Sequence, residues 1–175
     1  MSEFKLNVEK KPMPEVYLSI GSNIDRENNI AAGLKALRTL LGTLKCSQIY
    51  ESEAVGFNGE NFYNLVVSAF TDLSIRDLAK ELHAIEDKCL RKRNGPKFAS
   101  RTLDIDILLY DDFIGESDGI VLPREEITQH AFVLLPLSEL APNLNHPRLN
   151  ATYAQLWDEF DKERQKLWPI GSKIT

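Results

Sequence analysis

The stretch TLDIDILLY at residues 102–110 constrains the fold more than any other part of the sequence. Leucine and isoleucine alternate there with two aspartates, a pattern that predicts a strand with one buried face. Asp104 and Asp106 would then share the other face, with their Cβ atoms about 7 Å apart. Carboxylates at that spacing repel each other, so we expect either nearby cations or a bound doubly charged ion to stabilise the pair.

Apolar periodicity around this stretch predicts the rest of the core. Strands are predicted at residues 16–22, 47–55 and 62–72, and helices at residues 25–41 and 74–90. Together with the aspartate strand, the order is βαββαβ, which defines a ferredoxin-like α+β fold with an antiparallel sheet and both helices on one face. Leu103, Ile105 and Ile107 must face those helices, so the aspartates should point to the opposite, open face.

The sequence after this core predicts smaller elements. A short strand is expected at Ile120–Leu122, and a helix at residues 130–140 that Pro136 should disturb. The aromatic residues between Tyr153 and Trp168 lie near helical spacing, which favours a C-terminal helical tail packed on the core.

Length and charge limit the kind of protein. The 175 residues suit one domain, which we expect at residues 15–175, behind a flexible leader at residues 1–14 that contains two prolines. A total of 21 Lys and Arg against 26 Asp and Glu gives a net charge of −5, which does not favour nucleic acid binding. No apolar run has transmembrane length and no signal peptide is recognisable, so a cytoplasmic protein without a membrane partner is expected.

Two interpretations of the aspartate pair remain open on spacing alone. One is a solvated strand face paired with lysines, although acidic residues are depleted in strands. The other is a Mg²⁺ site, because magnesium prefers one or two carboxylates together with water and phosphate oxygens. A run of cations without any acid leads directly into the strand: Lys88, Arg91, Lys92, Arg93, Lys97 and Arg101. Metal ions and basic side chains together neutralise a polyphosphate, which favours the second interpretation.

The segment at residues 55–67 offers a place for a flat ligand. Phe62 and Asn64 share one face of the predicted strand, and Tyr63 shares the other with Leu65. An aromatic ring beside an amide on the open face could hold a heterocycle by stacking and hydrogen bonding, whereas packing within the sheet is the plainer interpretation. The common phosphate-binding glycine motifs are missing from the sequence, and its three histidines have no zinc-ligand spacing.

Four segments together resemble the 6-hydroxymethyl-7,8-dihydropterin pyrophosphokinase family of folate biosynthesis. They are YLSIGSN at 17–23, VGFNGENFYNLVV at 55–67, RTLDIDILLYDD at 101–112 and HAFVLLPLSELAP at 130–142. The resemblance implies a ferredoxin-like fold and transfer of pyrophosphate from ATP to the pterin hydroxymethyl group, with release of AMP. It also implies two Mg²⁺ ions, small-molecule substrates and a monomeric enzyme.

The resemblance also assigns roles to residues by their position in these segments. Asp104 and Asp106 would bind the metal ions. Arg101 would contact the phosphates, Arg91 and Arg93 would belong to a mobile loop that closes over ATP, and these three arginines would be the catalytic cations. The pterin would be bound by Ser52, Val55, Gly56, Phe62, Asn64 and Phe132, with the two phenylalanines on either side of its ring. Besides the three arginines, the residues near ATP would be His83, Glu86, Ile107 and Arg124.

The sequence departs from the family pattern at three positions. Arg124 stands where many members have a histidine that touches the nucleotide, and an arginine there can still bind phosphate. His130 stands where many members have an arginine two residues before the stacking phenylalanine, and Phe98 replaces a loop aromatic that is often tryptophan. We expect the first two changes to affect nucleotide and product binding.

Three other functions compete with the pyrophosphokinase. A ferredoxin-like sheet that binds RNA should expose aromatic and basic residues on its open face rather than two acids. A nucleotide-sugar transferase also uses an Asp-x-Asp pair, but this chain is short for one and its element order differs. An inactive family member is disfavoured because Asp104, Asp106 and Arg101 are all retained.

Overall fold

The computed structural model describes residues 11–90, 102–171 and 174. The elements of the core are β1 (Glu15–Ser22), α1 (Arg26–Leu41), β2 (Lys45–Cys46), β3 (Tyr50–Ser52), β4 (Phe62–Phe70), α2 (Ile75–Leu90) and β5 (Asp104–Tyr110). They are followed by β6 (Gly115–Ser117), β7 (Ile120–Leu122), α3 (Glu126–Gln129), α4 (Ala131–Leu140), α5 (Tyr153–Glu159) and β8 (Leu167–Pro169).

The described strands form one antiparallel sheet and a separate hairpin. The sheet has the order β5-β1-β4-β3-β8, with β2 also paired to β4, and β6 pairs with β7. The two long central strands, β1 and β4, are neighbours in space although a helix and two short strands separate them in the sequence. This arrangement confirms the ferredoxin-like α+β fold that the order of elements predicts.

The main core lies between the sheet and the helices α1 and α2. Buried side chains from both helices meet inward-facing residues of β1, β4 and β5, among them Ile30, Leu34, Leu78, Leu82, Leu18, Leu65, Ile105 and Ile107. The helices α1 and α2 therefore cover the face that the alternating pattern of β5 predicts. Asp104 and Asp106 lie on the opposite face, also as predicted.

That opposite face is only partly open, because the elements after β7 cover half of it. Leu134 and Leu137 of α4, Ile127 of α3 and the fully buried Tyr153 of α5 pack against Val66 of β4 in a second core. A register shift between Tyr17 and Leu18 of β1 lets Leu108 and Leu109 of β5 both join this second core. The remaining uncovered part of the face carries the cavity described below.

The predictions for two elements before the C-terminal tail differ from the structure. The strand predicted at residues 47–55 forms only at Tyr50–Ser52, with a separate two-residue strand at Lys45–Cys46. Pro136 lies inside α4, which continues through it to Leu140.

The helical pattern of the tail ends at Glu159, because Phe160 adopts an extended backbone with φ −69° and ψ 136°. The chain then returns to the sheet as β8, where Trp168 is half exposed rather than packed in the core. Within the described residues, no helix combines the length and apolar character needed to cross a membrane.

Candidate functional site

A cavity of about 520 Å³ opens on the sheet face opposite α1 and α2. Its floor is formed by residues of β1, β4 and β5, and its sides by the segment after β3, by Arg124 and by the start of α4. Eight residues that the sequence assigned to a site line it together: Ser52, Val55, Phe62, Asn64, Asp104, Asp106, Arg124 and Phe132. Because they come from five separate parts of the chain, the fold is what assembles the site.

The aspartate pair forms the acidic end of the cavity. In the β1–β5 register, Asp104 pairs with Gly21 and Asp106 with Ser19, so both carboxylates rise from the floor. Burial, and next the charge of Asp104, raise the pKa of Asp106 from 3.8 to about 6, while Arg124 opposes the shift. The two carboxylates repel each other, and a hard cation such as Mg²⁺ that binds to both would remove this repulsion.

Arg124 is held against the aspartates by several hydrogen bonds. Its Nε donates to the carbonyl oxygen of Ile107 at 3.2 Å, and its backbone N–H donates to the carbonyl oxygen of Leu108 at 3.1 Å. Its guanidinium lies 3.4 Å from Asp106 and 3.8 Å from Glu126. These contacts leave part of the guanidinium in the cavity, where it can meet an anionic ligand.

Among the described residues, no group of three or more acidic, histidine or cysteine side chains lies close enough to enclose a metal ion. The Asp104–Asp106 pair would supply only part of the ligand set of a magnesium ion. Water and substrate phosphates usually provide the remaining ligands of Mg²⁺. The residues present therefore fit a metal that binds together with a phosphorylated substrate.

Asn64 and Ser52 add uncharged polar groups to the cavity lining. Asn64 donates from Nδ2 to the Ser52 hydroxyl at 2.8 Å, which fixes the orientation of the amide. Gly21 lies directly beside Asn64 in the sheet, and a Cβ atom at that position would be only 3.2 Å from Asn64 Oδ1. A glycine therefore gives the amide its room on the floor of the cavity.

Two pairs of aromatic rings line the cavity. Phe62 meets Phe57 edge to face, with ring centroids 6.1 Å apart. His130 and Phe132 stack with centroids 4.8 Å apart and planes 12° from parallel. These rings and the Asn64 amide, here called the aromatic slot, are the groups that suit a flat, polar heterocycle.

Several predicted residues do not line the cavity. Ile107 is buried in the main core, and its contribution is the carbonyl that holds Arg124. Glu86 of α2 accepts the backbone N–H of Ile105 at 2.7 Å and lies 3.1 Å from His83 Nδ1, so this pair borders β5. Gly56 adopts a left-handed backbone, with φ 82°, in the exposed segment after β3. Arg91, Arg93 and Arg101 fall outside the described residues.

Other cavity residues were not predicted as part of a site. Phe57 and Glu53 lie in the segment that follows β3, and Glu126 stands two residues after Arg124. Gly21 was assigned no role in a site, and it lies inside β1 and lines the cavity. A glycine within a strand often marks close approach of another group, and that signal could have placed Gly21 on the cavity floor.

Solved structures share this architecture. A crystal structure of HPPK-DHPS in complex with substrates aligns with a TM-score of 0.69, over 87% of this chain and 44% of that one, at 12% identity. The Plasmodium falciparum HPPK-DHPS wild type with STZ-DHP aligns with a TM-score of 0.69, over 94% of this chain and 48% of that one, at 16% identity. Similarity at this level of identity establishes the fold class.

Sequence comparison identifies the family. The family model of 7,8-dihydro-6-hydroxymethylpterin-pyrophosphokinase (HPPK) matches residues 17–142. The 2-amino-4-hydroxy-6-hydroxymethyldihydropteridine pyrophosphokinase of Porphyromonas gingivalis is 40% identical over 141 residues, which cover 77% of this chain and 95% of that protein. The Aquifex aeolicus protein of the same name is 36% identical, over 77% of this chain and 85% of its own. The chain belongs to the pyrophosphokinase family, which confirms the resemblance seen in the sequence.

Some relatives are much longer than this chain. The folic acid synthesis protein FOL1 of Dictyostelium discoideum is 38% identical over 142 residues, which are 78% of this chain and 21% of that protein. The chain thus spans about a fifth of this relative and less than half of the two solved structures.

Proposed function

We propose that this protein transfers pyrophosphate from ATP to the hydroxymethyl oxygen of 6-hydroxymethyl-7,8-dihydropterin and releases AMP. The observation that carries the proposal is that one cavity is lined both by an aspartate pair with Arg124 and by aromatic rings with the Asn64 amide. A phosphoryl-transfer enzyme needs charge neutralisation and a flat-ring site within reach of each other, because most of its catalysis is positioning.

The aspartates are proposed to hold two magnesium ions together with the triphosphate. Bound magnesium would neutralise the phosphate oxygens and favour attack on the β-phosphorus. Asp104 and Asp106 would keep the polyphosphate at their end of the cavity, and Arg124 would add a fixed positive charge beside them. Arg91, Arg93 and Arg101 are proposed to supply the other cations that contact the phosphates.

The aromatic slot is proposed to bind the pterin. Phe62 and Phe132 would lie on either side of the ring, and Asn64 would match the donors and acceptors of its edge. The Asn64–Ser52 hydrogen bond supports this assignment, since it holds the amide in one orientation before the ligand arrives. The backbone near Val55 and Gly56 would close the slot at the side where the chain is exposed.

His83, Glu86 and Ile107 are proposed to act near the nucleotide, at the border of β5. Their contacts support an indirect role, because Glu86 holds the backbone of Ile105 and Ile107 holds Arg124. As the family implies, we propose a cytoplasmic monomer that needs neither nucleic acid nor a membrane. We likewise propose that residues 1–14 form a leader and that residues 15–175 form a single domain.

The proposed reaction is tested by its product. The protein is incubated with ATP, the reduced hydroxymethylpterin and Mg²⁺, and AMP is measured by chromatography. We expect AMP and the pterin diphosphate in equal amounts, and no AMP when the pterin is omitted or when the metal is chelated. A folded protein that forms ADP, or no nucleotide product, would contradict the proposal, and the second result would favour a binding module.

Replacement of Gly21 by alanine is expected to weaken pterin binding about tenfold with little change in thermal stability. The new methyl group would lie 3.2 Å from Asn64 Oδ1. It would shift the amide group that is proposed to form hydrogen bonds with the edge of the pterin ring. Fluorescence titration with the pterin measures the change in Kd. Gly171→Ala is the matched control, because no atom lies within 4 Å of its added Cβ. Unchanged affinity in Gly21→Ala would argue against recognition by Asn64.

A further inference from the structure

The chain beyond the family match returns to the cavity. Residues 160–166, here called the return segment, connect α5 to β8 and lie outside residues 17–142. Phe160 anchors one end against the second core. At the other end β8 pairs with β3, and Leu167 stands opposite the cavity residue Ser52. The return segment is thereby fixed beside the start of α4.

Gln165 is the residue of the return segment that reaches the cavity wall. Its Oε1 accepts the backbone N–H of Ala131 at 2.6 Å, which satisfies one of the unpaired N–H groups at the start of α4. Its Nε2 lies 3.1 Å from Nδ1 of His130. One side chain therefore contacts both the backbone and the ring that shape this wall.

These two contacts determine the protonation of His130. A backbone N–H can only donate, so the atom of Gln165 beside Ala131 must be the carbonyl oxygen. The other end of the side chain is then the NH₂ group, which can only donate. His130 Nδ1 must accept that hydrogen bond, so a neutral ring carries its proton on Nε2.

We propose that Gln165 is a positioning residue of the pterin slot, which holds the His130 ring on Phe132 with Nε2–H as its donor. His130 and Phe132 stack at 4.8 Å, and both line the cavity. The slot would then offer its ligand a donor from an uncharged ring rather than from a cation. The identity of the ligand rests on the proposed function, whereas the tautomer does not.

The charges around His130 are compatible with a neutral ring. Burial lowers the pKa of His130, Arg164 of the return segment lowers it further, and Glu126 of α3 opposes both. A ring that stays uncharged near neutrality keeps the Nδ1 lone pair that Gln165 needs.

The test compares Gln165→Glu with wild type in two measurements. Glutamate keeps an acceptor for the Ala131 N–H but replaces the donor with a second acceptor, so His130 should move its proton to Nδ1. We expect the ¹⁵N chemical shifts of the His130 ring to report an unprotonated Nδ1 with Nε2–H in wild type and a protonated Nδ1, in a neutral or a cationic ring, in the variant. The Kd for the pterin should rise about tenfold, while the Kd for ATP changes less than about twofold. Lys166→Ala, at the exposed neighbouring position, should match wild type in both measurements.

Each contrary outcome has a distinct meaning. A wild-type ring protonated on Nδ1 would overturn the proposal without any variant, so it does not depend on Gln165→Glu folding. Equal weakening of pterin and ATP binding in Gln165→Glu would show a structural role only. Failure of wild type to bind the pterin would overturn the proposed function, and with it the ligand assigned here, whatever the tautomer.

Discussion

Replacement of Asp106 by asparagine is expected to lower kcat about a thousandfold or more while the protein stays folded. Asparagine keeps the shape of the side chain but removes the negative charge that would hold a metal ion beside the phosphates. Asp106 faces the cavity and its one described ion pair is with Arg124, so no apolar packing is lost. AMP formation under saturating substrates measures the effect.

The stability of this variant is expected to change in the opposite direction from its activity. Because the pKa of Asp106 is raised to about 6, the folded state binds a proton more tightly than the unfolded state does. The charged carboxylate therefore destabilises the metal-free protein as pH rises from about 4 to about 6. Asp106→Asn lacks this loss, so without metal it should unfold at the same or a higher temperature than wild type at pH 7.5.

Asp112→Asn is the matched control for the charge. Asp112 is exposed, follows the same strand and does not line the cavity, so its loss should leave AMP formation unchanged. Unfolding of Asp106→Asn at ambient temperature would indicate that the aspartate is structural. Wild-type turnover by that variant would remove Asp106 from the metal site.

The sequence was sufficient to predict the core because its signals there are local. The alternation in β5 fixes which side chains face the helices, and the helical spacing in α2 fixes which side of that helix is buried. The same rule places Phe62 and Asn64 on one face of β4, and the family resemblance assigned that face to the site. These residues meet in the cavity because the ferredoxin-like topology places their strands on both sides of β1.

The covered half of the open face could not be predicted in the same way. The position of α4 depends on contacts between Leu134 and a sheet residue, Val66, that is distant in the sequence. The register shift between Tyr17 and Leu18 likewise depends on how β1 pairs with β5 rather than on the residues of one strand. Gln165 carries no sequence signal for its contact with His130, since that contact exists only after β8 has joined the sheet.

Replacement of Phe132 by alanine is expected to raise the Kd for the pterin about 30-fold, with a change of less than about threefold for ATP. Phe132 lines the cavity and stacks on His130, whereas the charged groups proposed to act on the phosphates are the aspartates and Arg124. Loss of the ring should remove stacking on the heterocycle without altering charge near the phosphates. Separate titrations with pterin and with a non-hydrolysable ATP analogue measure both constants.

Phe70→Ala is the control for loss of a phenylalanine elsewhere on the sheet. Phe70 ends β4, is half exposed and does not line the cavity, so neither ligand should bind more weakly. Equal losses of pterin and ATP affinity in Phe132→Ala would contradict its place on the ring. Phe132 also supports His130. The loss of pterin-binding free energy in the double variant Phe132→Ala with Gln165→Glu should therefore be smaller than the sum of the losses in the two single variants. Full additivity would mean that stacking and the His130 donor act on the pterin independently.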